Sequence, residues 1–352
     1  MMMRMGWRLL ASAMLALGVT ACDDGGGDEA TPGGATADAG GPFTIALVAK
    51  SSTNPVFLAA RTGAEAAADE LSEEYGVDIE IAWLTPPQED GQVQAQRVLQ
   101  AVNDGANAIL ISSSDAAKVT GAINDAVDRG VPVMTFDSDV PGSKRFAFYG
   151  VDDIETGRAV LRELATLMNG EGVVAILAGN QNAPNLQKRA QGVRDESANH
   201  PGIEIVSTFN HIETPQDAAA EVIRVMNAYP EVTGWAMVGG WPLFTRTLLT
   251  DLDPERVKVV AVDGLPAQLA YVERGIAPVL LAQPVYEWGY VGVQTIMERV
   301  FRGEEGPEIV PMELVRVSRE NLGEWARQLH DWGFTDAELA SYLEGTEEET
   351  VP

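Results

Sequence analysis

The chain has 352 residues, 45% hydrophobic and 22% charged, enough to bury one large core or two modest ones. It carries 52 Asp and Glu against 24 Lys and Arg, a net charge of -28, which argues against binding to nucleic acid or adhesion to anionic lipid. Cys22 is the only cysteine, so no internal disulfide or thiolate metal cluster can form. The histidines, His200, His211 and His330, fall in no ligand-like spacing, and no metal or other cofactor is expected.

Residues 1–21 place Arg4 and Arg8 ahead of an apolar run from Leu9 to Val19. The run is too short to span a bilayer and reads as the core of a signal peptide. Val19-Thr20-Ala21-Cys22 resembles the lipobox of bacterial lipoproteins. That resemblance implies cleavage before Cys22 and acylation of its thiol; an ordinary secretory signal with an incidental cysteine is the alternative. Residues 22–42 are rich in Gly, Ala and Asp and read as a flexible, lipidated tether.

From Ile45 the sequence alternates strand and helix. Strands are expected at 45–49, 79–84, 108–112, 131–137, 173–179, 203–210, 234–239, 257–263 and 279–283. Asn54-Pro55 and Thr214-Pro215 are helix starts, each a capping side chain followed by proline at the first helical position. Gly130 closes another helix. Strict alternation implies parallel sheets covered on both faces. The expected strands are many for one sheet, and the alternation pauses at 140–153, so two α/β lobes with a cleft between them fit better. Residues 319–332 read as one more helix, and 334–352 as an acidic tail.

The most informative stretch is Val131-Pro-Val-Met-Thr-Phe-Asp-Ser-Asp139. An apolar run breaks into acids and a hydroxyl, as a buried parallel strand does when its carboxyl end opens on a polar crevice. Ligands of open α/β sheets bind beyond such ends. Other expected strands end the same way. There is no G-x-G-x-x-G after a strand, no Walker A lysine and no G-x-S-x-G elbow, so nothing in the sequence calls for an enzyme.

The order Ile45-Ala-Leu-Val-Ala49, Asn54-Pro-Val-Phe57, Ala108-Ile-Leu-Ile-Ser112, Val131 to Asp137, Val259-Val-Ala-Val-Asp-Gly264 and Ala282-Gln283 resembles the type I periplasmic sugar-binding proteins, the ribose- and galactose-binding-like receptors of ABC transporters. The resemblance covers about residues 43–317. It implies an α/β fold of two doubly wound parallel-sheet lobes joined by three crossovers. Lobe one takes 43–151 and 284–311, and lobe two 152–283 and 312–333. Asp137 and Asp263 match the family's two hydroxyl-binding carboxylates, Gln283 a hydroxyl-binding amide and Asn54 a ligand that is equally a helix cap. Gln187 aligns with the family's arginine ligand. Ser138 stands where ribose-type members carry arginine, and the Asp-Ser-Asp variant resembles autoinducer-2 and rhamnose-type receptors, as does Lys50. Phe57 and Trp241 are candidates to stack on a sugar ring. Asn185 and Ser112 complete the expected site, with Lys50 as its main cation; Asp139 is expected to face water.

The function implied is an extracytoplasmic substrate-binding lipoprotein of an ABC importer, a monomer held at the periplasm or cell surface by its lipid alone. Its partners are a small carbohydrate-like solute and the permease. A signalling receptor of the same fold and a two-lobed α/β enzyme are the alternatives.

Overall fold

The computed structural model describes residues 41–335 and 337–343. The signal segment, Cys22, all but the last two residues of the tether and the end of the acidic tail lie outside the described residues.

In the first lobe, β1 (Phe43–Val48), α1 (Pro55–Tyr75), β2 (Ile79–Trp83), α2 (Gly91–Asn103), β3 (Ala108–Ile111), α3 (Ala116–Asp128), β4 (Val133–Phe136) and β5 (Ala147–Gly150) follow in order. The chain then crosses to the second lobe: α4 (Asp153–Leu167), β6 (Glu171–Ala178), α5 (Pro184–Ser197), β7 (Gly202–Asn210), α6 (Pro215–Ala228), β8 (Gly234–Met237), a 3-10 turn at Trp241–Leu243, β9 (Lys258–Val262), α7 (Pro266–Arg274) and β10 (Val279–Ala282). It returns for α8 (Val285–Arg302) and β11 (Ile309–Pro311), then crosses again to β12 (Val315–Val317), α9 (Leu322–Asp331) and α10 (Ala337–Leu343).

Two six-stranded sheets result, in the orders β11-β5-β4-β3-β1-β2 and β12-β10-β9-β8-β6-β7. Every pairing is parallel except β10 with β12. Each sheet has an apolar cluster on either face, which is why β1, β3, β4, β8 and β9 read as near-continuous apolar runs. All nine expected strands are present. The pause at 140–153 contains β5 and the first crossover, and β11 and β12 were not foreseen.

Part of the stretch expected as a tail from residue 334 is helical. Residues 337–343 form α10, and Leu339 is buried in the second lobe's core beside Leu269 and Leu329. Burial of that leucine holds the segment to the lobe.

Both lobes contain a helix pair packed backbone to backbone. A Cβ on Gly289 of α8 would lie 1.8 Å from the Ala60 carbonyl oxygen of α1. One on Gly192 of α5 would lie 2.0 Å from the Ile154 carbonyl oxygen of α4. The second crossing fixes α5, and with it the side chains α5 sends toward the other lobe. Gly192→Ala should therefore cost at least about 2 kcal/mol of stability. Gly121→Ala, on an exposed turn of α3 where a Cβ meets nothing, should gain about 0.5–1 kcal/mol. Urea unfolding midpoints of the two variants check both signs.

Candidate functional site

The two sheets point their carboxyl ends at each other. Lys50, Ser112 and Asp137 follow β1, β3 and β4; Asp263 and Gln283 follow β9 and β10. Asp137 and Asp263 do the same job in their lobes. Each follows a central strand, and each donates its backbone N–H to the next strand, Asp137 to the Tyr149 carbonyl and Asp263 to the Leu281 carbonyl. Each also holds a left-handed backbone, with φ of 55° and 71°. Such a conformation costs of order 1 kcal/mol or more in a non-glycine residue and clusters at functional sites.

Asp137 is buried and fully engaged. Its Oδ2 accepts from Ser112 Oγ at 2.7 Å and lies 3.1 Å from Lys50 Nζ. Its Oδ1 accepts from Asn185 Nδ2 of the opposite lobe at 2.9 Å. Lys50 also donates across the cleft, to Asn185 Oδ1 at 3.2 Å. In the second lobe, Asp263 accepts from Gly240 N–H at 3.1 Å and from Gln283 Nε2 at 2.8 Å.

Arg189 ties the two groups together. Its guanidinium donates to Asp153 at 2.9 Å, to Gln283 Oε1 at 2.8 Å and to the Val238 carbonyl at 3.2 Å. It also comes within 3.9 Å of Asp137 Oδ1. Asp153 and Gln283 stand beside the first and second crossovers, so one side chain links the cleft to both hinges.

Burial sets the electrostatics. It pushes the Lys50 ammonium down, but Asp137, then Glu89 and Glu213, outweigh it and the net direction is up. Arg189 behaves alike, with Asp153, Asp137 and Asp263 opposing burial. Burial raises Asp153 and Asp263 despite Arg189. Both cations are thus held charged and already committed to carboxylates.

The remaining expectations divide. Trp241 borders the cavity, 5% exposed, with its Nε1 donating to Glu213 at 3.2 Å and its ring against His211. Asn54 caps α1 through Val56 N–H and also lines the cavity, as does Phe57, which packs on Phe136 and Trp288. Ser138 does not line it; the turn after β4 buries its hydroxyl without a hydrogen-bond partner. Gln187 is exposed and donates to the Gln181 carbonyl, away from the strand tips. No cation is expected on this helix from the sequence, but Arg189 lies one turn beyond Asn185 on the same helix face and borders the cavity, and the i, i+4 spacing was the signal that could have found it. Asp139 does not face water: Arg145 grips both its oxygens at 2.7 and 2.8 Å.

Space at the site comes in two parts. Between the strand tips is a cavity of about 30 Å³ bordered by Lys50, Asp137, Asn185, Arg189, Trp241, Asp263 and Gln283. That holds on the order of one or two waters. Outside it runs a groove of about 950 Å³ between the lobes, in the size range of solute sites. Glu213 borders both. In this arrangement the strand-tip groups satisfy one another. Among the described residues, no group of three or more His, Cys, Asp or Glu is placed to hold a metal ion.

The profile of the family described as "Periplasmic binding protein domain" matches residues 45–305. The chain belongs to this periplasmic binding protein family. It is 26% identical to a ribose import binding protein of Escherichia coli, over 79% of this chain and 91% of that one. It is 24% identical to a D-ribose/D-allose-binding protein of Pseudomonas aeruginosa, over 77% and 88%. Among solved structures, an ABC transporter solute-binding protein of Burkholderia graminis in complex with D-arabinose superposes with a TM-score of 0.74 at 24% identity, covering 80% of this chain and 96% of that one. The glucose-galactose binding protein GanP of Geobacillus stearothermophilus gives 0.73 at 25%, covering 80% and 99%. The family is one of binding proteins, which fits a site built of opposed donors and acceptors.

Arg189→Met tests the electrostatic account. It strands Asp153 in a buried site, which should cost about 3–5 kcal/mol at pH 8. A carboxyl raised by burial favours the folded state while protonated, and that contribution is lost as pH rises through its folded pKa. The deficit should therefore shrink at pH 5, where the stranded carboxyl takes up a proton. Urea unfolding at the two pH values reads the difference; equal losses would contradict it.

Proposed function

We propose that this chain binds a small sugar or sugar-like solute between its lobes, outside the cytoplasmic membrane, and delivers it to an ABC permease. One observation supports this above the others. Two carboxylates with the same strained backbone, one per lobe, meet at a shared cavity and are bridged by Arg189 and Gln283. Carboxylates accepting hydroxyl protons form bonds roughly twice as strong as neutral pairs. Opposed acceptors on two bodies let one polyhydroxylated solute bind both and draw the lobes together. Lys50, Asn54, Phe57, Asn185, Trp241 and Gln283 serve the same solute by hydrogen bonding or ring contact, and Ser112, which lines neither space, holds Asp137 through its hydroxyl. A phosphate suits the site poorly, since Lys50 and Arg189 are already paired. Specificity arises from buried polar groups left unpaired by the wrong solute.

The relatives named above bind ribose, allose, arabinose, glucose or galactose, and the class, rather than any one of these sugars, is what we extend to this chain. We further propose that it acts in the periplasm as a monomer, anchored through acylated Cys22. No helix among the described residues is long and apolar enough to cross a membrane.

A thermal-shift panel of aldopentoses, aldohexoses, alditols and aminodeoxy sugars tests the reading, because a solute that binds only the folded state raises Tm. At least one member should do so. Asp137→Ala and Asp263→Ala should each weaken that solute about 100-fold or more, with far-UV circular dichroism unchanged. A panel without any shift, or variants that bind as the parent does, would overturn it.

A further inference from the structure

At the junction of the deep cavity and the outer groove, two carboxyl groups face each other across the cleft. Glu89 comes from the loop after β2 in lobe one, and Glu213 from the loop before α6 in lobe two. Glu213 acts on Glu89 in the direction that favours a proton there. Glu213 is fully served: its Oε1 accepts from Asn180 N–H at 2.8 Å and its Oε2 from Trp241 Nε1 at 3.2 Å. Glu89 is not. Its Oε2 accepts from Asn180 Nδ2 at 3.3 Å, but its Oε1 is closed off from solvent and has no donor.

Lys50 acts on both glutamates through its charge, but no nearby side chain donates a hydrogen bond to Glu89 Oε1. Lys50 is spent on Asp137 and Asn185. Lys118, on the groove wall, pairs with Asp115 at 3.7 Å. Burial holds the His211 ring below the usual imidazole range, so at neutral pH it adds no positive charge. Burial first, and Glu213 next, push the Glu89 carboxyl well above the usual carboxylate range. The groove that leads to this point is lined by five carboxylates and a single lysine. With a chain charge of -28, that field raises the local concentration of cations and does nothing for a neutral solute.

We infer that the solute carries a protonated amine, which sits between Glu89 and Glu213 and so bridges the two lobes. This rests on the interlobe binding site proposed above and adds the chemical class of its occupant. An ammonium brings three donors to a place where Glu89 Oε1 has none, and a positive charge beside two acids. A hydroxyl brings one donor and leaves the two carboxylates repelling each other. Trp241, hydrogen-bonded to Glu213, presents aromatic surface beside the same spot, which suits a cation next to a sugar ring. The amine acts as the latch, because it contacts an acid from each lobe only when the lobes are together.

Isothermal titration of the mature chain at pH 7.5 and low salt tests this. The probes are 2-, 3- and 6-aminodeoxyhexoses and 1-amino-1-deoxyalditols, each beside its hydroxyl parent. At least one amine should bind about tenfold or more tighter than its parent. Glu89→Gln and Glu213→Gln should each bring that ratio close to one. If parents bind and no amine exceeds its parent, the amine inference fails and the interlobe sugar site stands; a proton shared by the two glutamates then explains the pair. If no probe of either kind binds, the amine inference fails, and the aldopentose arm of the thermal-shift panel decides the sugar site.

Discussion

A charge removed from water must be met by another charge or by hydrogen bonds. The groups at the tips of these two sheets obey that constraint across a gap rather than within one body. Asp137 is neutralised by Lys50 of its own lobe but completes its hydrogen bonding through Asn185 of the other. Arg189 is neutralised by Asp153 in its own lobe and reaches toward Asp137. Lys50 and Asp137 of lobe one and Asn185 of lobe two complete their hydrogen bonding only with the opposite lobe in place, whereas Asp263 and Arg189 are served within lobe two. That dependence makes the two-body architecture functional: separation rehydrates the groups, and closure requires a partner for each of them.

The fold supplies the geometry by repetition. Each lobe ends a central strand in an aspartate with positive φ whose N–H bonds to the neighbouring strand. Each lobe also has a helix pair so close that a methyl group would not fit between backbones. In lobe two that pair carries Arg189, whose contacts extend to residues beside two of the three crossovers. One side chain therefore touches both the cavity between the strand tips and residues beside two crossovers. A local exchange of hydrogen bonds can bias a rigid-body motion without any change inside either sheet.

Much of this was legible in the residues. The nine long strands show as apolar runs broken by Asp, Ser, Lys or Gln, because parallel strands are buried on both faces and polar only at their tips. The starts of α1 and α6 show because Asn54-Pro55 and Thr214-Pro215 leave the backbone few other choices. β11 and β12 were hidden for lack of length: they have three residues each, and no alternation can be read from so few. Asp139 misled because its partner, Arg145, lies across a loop whose path the sequence does not dictate. Ser138 misled because the turn beside it buries the hydroxyl. Gln187 was chosen by alignment to a family pattern, whereas the helical spacing from Asn185 pointed to Arg189. Glu89 and Glu213 were beyond reach, since they meet only through the placement of two lobes.

The central claim is that one solute is gripped at once by strand tips from both lobes. A crystal structure of the chain with a solute that raises its Tm tests this most directly. The account predicts the solute between the lobes, with polar atoms within hydrogen-bonding distance of both Asp137 and Asp263. Density for the solute against a single lobe, with either carboxylate still paired only to protein, would contradict it.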